Sequence, residues 1–231
     1  MEPIVHHPCS RTDIPGFRLV VLNLHSGEQI YLTEEWDLSP SAVFWNSDGS
    51  RLYILAMQYG RRRIFESHLN GKIKPLFWSG DSSVVDAHIS QNSLVITQSS
   101  LTDPYTVTKY SLQQRTHCRV FTPAPKPLLS HRSVRQFWYQ GYHNRPIHGF
   151  FHLPENFNGS RKYPLVFLIH GGPQSAWEDA WSIRWNSAVF ANAGSGWIVA
   201  MINPTGSTGY GQEFQDSIRG HWGSRSCSHL V

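Results

Sequence analysis

The 231 residues are 40% hydrophobic and 13% aromatic with only 16% charged, which is enough to bury a core and excludes a disordered chain. The charge balance is +4, and no apolar run approaches the roughly 18 residues that cross a bilayer, so no membrane partner is expected.

The first residues, Met1-Glu2-Pro3-Ile4-Val5-His6-His7, have neither the basic head nor the apolar stretch of a signal peptide. The chain is thus expected either to be intracellular or to lack its true N-terminus. Cys9, Cys118 and Cys227 are odd in number and far apart, so they define neither a disulfide framework nor a zinc site. Residues 1–125 show no helical period but many short β-rich runs. Leu22–Gly27 leads into Gln29–Leu32, His68–Gly71 into Ile73–Leu76, and Tyr110–Gln114 into Cys118–Phe121. Gly27 and Gly71 are 44 positions apart, and Gly71 and Gln114 are 43 apart. A second hairpin falls between them, at Ser47–Ser50 and again at Ser90–Ser93. Four short strands per repeat of about 40–50 residues mark a β-propeller blade, whereas a plain β-sandwich does not repeat at fixed spacing. Two to three blades fit, so an incomplete propeller is predicted. The single basic run, Arg61-Arg62-Arg63, reads as a solvated strand edge or turn rather than a nucleic-acid patch. No nucleic-acid partner is expected.

At Pro123-Ala124-Pro125-Lys126-Pro127 the texture changes to a stiff, extended linker. Val134–Tyr139 and Ile147–Leu153 flank the turn His143-Asn144-Arg145 as an antiparallel hairpin. On that second strand His148 and His152 would lie roughly 13 Å apart, too far to share one metal ion; no metal site is predicted. Asn158-Gly159-Ser160 is a glycosylation sequon in a loop, relevant only to a secreted protein. Leu165–Ile169 is an unbroken apolar run, read as a strand buried on both faces. Trp181–Ala193 is read as a helix with Ile183, Trp185, Ala188, Val189 and Phe190 as apolar contacts, stopped by Gly194. A second buried strand, Trp197–Ile202, completes a βαβ unit.

Each of these two strands runs into a glycine loop, His170-Gly171-Gly172-Pro173 and Asn203–Gly211. In such sheets ligands bind at the carboxyl ends of strands, where both loops lie. A glycine pair there lets the backbone turn and present N–H groups to the oxyanion of an acyl-transfer intermediate. Gly172 is the candidate donor, with His170, Gly171 and Pro173 supporting the loop. Neither loop has the pattern of a phosphate cradle, and no cofactor is expected. Ser207 stands between glycines but not in G-x-S-x-G, a pattern found nowhere in the 231 residues. His170 precedes any such serine and so falls outside the chain order Ser, Asp, His; it is read as pinning its loop.

The stretches His152–Glu155, Tyr163–Gln174, Trp177–Trp185 and Asn203–Gly211 resemble the prolyl-oligopeptidase family, and in particular its acylaminoacyl peptidase and dipeptidyl peptidase V branch. The likeness covers roughly residues 126–225, and the upstream repeats match the family's other domain. It implies an incomplete β-propeller over 1–125 followed by the front half of an α/β-hydrolase domain over 126–231. It also implies a secreted-type serine peptidase that removes N-terminal dipeptides or short pieces from peptide substrates. On this reading the chain is truncated at both ends. The catalytic serine, aspartate and histidine have no matching positions, and only Gly172 carries over as half of the oxyanion hole. Trp222–Arg225 still follows the family, while Ser226-Cys227-Ser228-His229 departs from it. Glu34-Glu35 is read as a surface pair on a loop, not as an anchor for a peptide amino group. The alternatives are a carboxylesterase with an H-G-G-type loop, and a non-catalytic propeller-derived binding fragment or gene-model remnant. Sequence leaves the oligomeric state open.

Overall fold

The computed structural model describes residues 2–6, 18–76, 82–122, 133–222 and 224. The proline-rich segment at 123–127, Cys9, Cys227 and Ser226–His229 lie outside the described residues.

Three antiparallel sheets follow one another along the chain. The first has the order β1 (Glu2–His6), β2 (Arg18–Leu22), β3 (Gln29–Tyr31). The second is β4 (Pro40–Trp45), β5 (Arg51–Gln58), β6 (Arg61–His68) and β7 (Ile73–Pro75), joined up and down in sequence order. The third repeats that pattern with β8 (Ser83–Ser90), β9 (Ser93–Ser99), β10 (Thr106–Ser111) and β11 (Thr116–Phe121). The expected turns connect these strands. At Asn23 the side chain accepts the His25 and Ser26 N–H groups, and Asp48 accepts that of Ser50, so each tight turn is closed by its own side chain.

Strand β5 shows how the sheets stack. Leu52, Ile54 and Ala56 pack with Leu19, Val21 and Leu32 of the first sheet's region, while Tyr53 and Leu55 pack with Val84, Leu94 and Ile96 of the third. Both faces of β5 are covered, which is why its sequence runs apolar without alternation. Glu66 on β6 ties the second and third sheets together. It is buried and receives Arg51 (2.9 Å), Lys74 (3.3 Å) and, from the β10–β11 turn, Arg115 (3.1 Å).

The fourth sheet is mixed. The hairpin β12 (Val134–Gln140) and β13 (Pro146–His152) forms as expected, and β13 pairs antiparallel with β15 (Ile198–Asn203). Strand β14 (Leu165–Ile169) pairs parallel with β15, so the strand order is β12-β13-β15-β14. Phe150 and Met201 pack with Leu101, which comes from the β9–β10 loop of the third sheet.

Three expectations need correction. Strand β14 is the edge of its sheet, not a strand buried on both faces: Leu165, Phe167 and Ile169 are exposed, Ile169 by 63%. The predicted helix shrinks to α1 (Ser187–Ala191), with Ala188 buried but Ile183 90% exposed and Trp185, Val189 and Phe190 also open to solvent. Ser182 Oγ accepts the N–H groups of Arg184 and Trp185 in a local turn, and Asn186 caps the helix by accepting Ala188 N–H (2.9 Å). These side chains compete with the helix before 187 and start it there. Finally, Arg61–Arg63 opens β6, an interior strand, and Arg61 is buried. A second short helix, α2 (Gln212–Asp216), follows the second glycine loop.

Candidate active site: two glycine loops beside β14 and β15

Parallel pairing of β14 with β15 brings their carboxyl ends, and hence both glycine loops, side by side. His170 leaves β14 and bridges the loops. Its Nδ1 is 2.8 Å from the Gly171 carbonyl, and its Nε2 is 2.9 Å from Ser207 Oγ. A neutral imidazole with its proton on Nδ1 donates to the carbonyl and leaves Nε2 as an acceptor beside the Ser207 hydroxyl, whose single proton it shares with the Pro204 carbonyl. Burial lowers the His170 pKa, with the Gly171 hydrogen bond opposing it, which favours this neutral form. His170 is therefore a pin between loops. Ser207 is fully buried, its hydroxyl also within 2.7 Å of the Pro204 carbonyl, so it is sheltered from any substrate.

Gly172 is exposed, and among the described residues no acceptor takes its N–H. Its φ is +130°, a conformation that L side chains rarely adopt, and a Cβ there would stand 2.8 Å from Gln174 N. Ser175 N–H closes the turn onto the Pro173 carbonyl (2.9 Å), and Thr208 N–H donates to the Ser175 carbonyl (2.9 Å). The loop thus holds an open backbone donor on a braced frame.

Behind the loops lies a second network. Tyr210 hydroxyl is 2.6 Å from His148 Nδ1 and accepts from Asn203 Nδ2 (2.7 Å); the Asn203 side chain also grips the Trp177 backbone at both N–H (2.7 Å) and carbonyl (3.1 Å). Burial drives the His148 pKa down to about 4, helped by the Arg61 guanidinium, and pushes the Tyr210 phenol up. His152 joins Ser187 (Nδ1, 2.9 Å) and Ser133 (Nε2, 3.1 Å), and burial lowers its pKa to about 4. That group holds a serine beside a histidine, but all three residues are buried. It braces the core. Among the described residues no group of three or more His, Cys, Asp or Glu is assembled for a metal ion.

The glycine loops also face the antiparallel sheets. A cavity of about 630 Å³ opens there, walled by Asp37, Pro40 and Met57 on one side and by Glu178, Gly209 and Gln212 on the other. Glu34 and Glu35 are exposed on the surface. Sequence reasoning missed Asp179 and its partner Arg61, which meet at this junction, as well as Tyr210. The signals were there: an acidic pair seven residues after the glycine pair, and a basic run at the start of a strand.

Residues 181–231 match the prolyl oligopeptidase family. A dipeptidyl-peptidase 5 of Schizosaccharomyces pombe is 37% identical over 212 residues, which cover 90% of this chain and 30% of that protein. The dipeptidyl-peptidase 5 of Aspergillus fumigatus is 37% identical over 205 residues, covering 85% of this chain and 28% of its own length. The chain therefore spans less than a third of these curated relatives. The acylaminoacyl peptidase of Pyrococcus horikoshii superposes with a TM-score of 0.72 at 15% identity, over 93% of this chain and 32% of that one.

Proposed function

The chain belongs to the prolyl oligopeptidase family, and from that premise we propose that it forms part of a serine exopeptidase releasing N-terminal dipeptides or short pieces from peptides. The relatives' name, dipeptidyl-peptidase 5, supports that substrate class. Peptide is the partner this reading requires; a solved acylaminoacyl peptidase of similar fold carries a peptide-like chloromethyl ketone. Residues 1–125 are read as two to three propeller blades that restrict access, which the two successive four-stranded sheets support. Residues 126–231 are read as the N-terminal half of the hydrolase domain, supported by the mixed sheet and its βαβ unit.

One observation carries the mechanism: the exposed N–H of Gly172, which no acceptor among the described residues takes, on a loop pinned by His170. In serine acyl transfer a hydroxyl adds to the scissile carbonyl, whose oxygen becomes an oxyanion. Gly172 would donate to it, with His170, Gly171 and Pro173 keeping the donor aimed. None of the 231 residues is assigned as nucleophile, acid or base, so the chain alone is inactive on this reading.

The first test is a dipeptidyl chromogenic substrate together with a fluorophosphonate probe on the purified chain. The expected result is neither turnover nor labelling, and a labelled serine would overturn the assignment. The second uses a chain extended to carry a G-x-S-x-G serine. Gly172→Ala should rotate the donor away and lower kcat by about 10²–10³ with KM little changed. An unchanged kcat would reject Gly172 as the donor.

A further inference from the structure

The loop carrying Gly172 is held from two sides. Within its own half, His170 bonds Ser207, Ser175 bonds Thr208, Trp177 bonds Asn203, and the Trp177 indole donates to the Leu168 carbonyl (2.6 Å). The far end of the loop is fastened by the antiparallel sheets. Asp179 N–H donates to the Gly60 carbonyl (2.7 Å), and Asp179 Oδ2 accepts from both Nε and Nη2 of Arg61, at 2.9 Å each. Asp179 Oδ1 accepts the Leu101 N–H (2.9 Å). The two side chains of the ion pair are only 8% and 4% exposed.

Arg61 is delivered by the β5–β6 turn, where Tyr59 and Gly60 both have positive φ. A Cβ on Gly60 would meet Phe150 Cε2 at 2.7 Å and the Trp177 carbonyl at 3.1 Å, so the turn is wedged between β13 and the loop. Tyr59 N–H donates to the Gly209 carbonyl (3.0 Å). One turn therefore touches both glycine loops. With its amide oxygen toward Arg61, Gln136 on β12 accepts from Nη2 and Nη1 (2.9 and 2.6 Å), so the guanidinium spans three elements.

We propose that the β5–β6 turn is a lock on the oxyanion loop, in which Arg61 and Asp179 are positioning residues that let docking of the antiparallel sheets set the aim of Gly172. The proposal rests on the reading of Gly172 as an oxyanion donor. Asp179 is seven residues from Gly172, and the path between them is short and braced: Asp179, Trp177, Ser175, then the Pro173 carbonyl and Gly172. Without Arg61 the Asp179 carboxylate is left buried with only part of its donors. Such a group draws in water, and the loop end it holds is released. The rival outcome is that the Trp177 and Ser175 anchors isolate Gly172 from Asp179.

Hydrogen exchange measured by mass spectrometry on the 231-residue chain separates the two. In Arg61→Met and in Asp179→Asn, amides of 170–179 and 207–212 should exchange about tenfold faster or more, while those of β12, β13 and β15 keep their protection. Arg61→Lys, which keeps the charge and part of the donor set, should recover most of the lost protection. Asp179→Asn is nearly isosteric and decides the matter if Arg61→Met fails to fold. Loop exchange within about twofold of wild type in Asp179→Asn, or a rise shared equally by every strand, overturns the lock. The two readings fail separately. Loss of kcat in Gly172→Ala with unmoved exchange rejects the lock alone; faster loop exchange with an unmoved kcat rejects the oxyanion donor alone.

Discussion

His148 and His152 lie on β13, fully buried, and each keeps a neutral ring between two polar partners. Burial lowers both pKa values from 6.5 to about 4. The unfolded chain takes up these protons near pH 6.5 and the folded chain only near 4. The stability they contribute is therefore complete above 6.5, falls as pH drops from 6.5 toward 4, and changes no further below that. His170 is shifted in the same direction and adds to the slope. At Glu66, burial pushes the carboxyl up, but hydrogen bonds from Arg115, Arg51 and Lys74 outweigh it and hold the pKa below 4.5, so its loss of stability comes only at the acid end. The expected outcome is a Tm that is flat from pH 7 to 8 and falls from 6.5 to 4, with a shallower fall in His152→Gln. An unchanged slope in that variant, by scanning calorimetry at each pH, would contradict the assignment. His170 was legible as a pin because it adjoins the glycine pair. Its partner Ser207 was not, since a hydrogen bond across 37 positions leaves no local pattern.

At the scale of elements, β5 and β14 are both unbroken apolar runs, yet one is sandwiched and the other lies at an edge. Hydrophobicity told that each is a strand; only the neighbours decide what covers it. The hairpin spacing was legible because turn residues act locally, and the mixed sheet's βαβ unit because two apolar runs end in glycine loops. The helix was not, because the side chains of Ser182 and Asn186 redirect the backbone before the apolar pattern takes hold. An exposed edge with Phe167 46% and Ile169 63% accessible is a template for association. Phe167→Thr combined with Ile169→Thr should change stability by less than about 1 kcal/mol while lowering light scattering and dye binding. Leu168→Ala, whose side chain packs on the Phe150 and Met201 cluster, should cost about 2 kcal/mol or more. Equal effects of the inward and outward substitutions would mean that β14 does not have the faces seen here.

Across the whole molecule, the antiparallel sheets meet the mixed sheet through polar contacts that sequence could not announce. Arg61 and Asp179 are 118 positions apart, and a basic run reads the same whether it faces water or a carboxylate. Two neighbouring ion pairs cross the junction, and their magnitudes differ. Arg62–Glu178 is about a third exposed on both sides (34% and 29%), so solvent screens it and side-chain entropy offsets most of its gain. Arg61–Asp179 is dry, and its carboxylate also serves the Leu101 N–H. Removing one member leaves a buried charge without its partner, at a cost of about 3–5 kcal/mol. Glu178→Ala should therefore cost less than about 1 kcal/mol and lose even that in high salt, where the Debye length contracts to about 3 Å. Asp179→Ala should cost several times more and change little between low and high salt. Urea denaturation of both variants at two ionic strengths makes the comparison. If the two losses are equal, or both vanish with salt, the junction is a screened surface contact and its buried pair does not hold the sheets together.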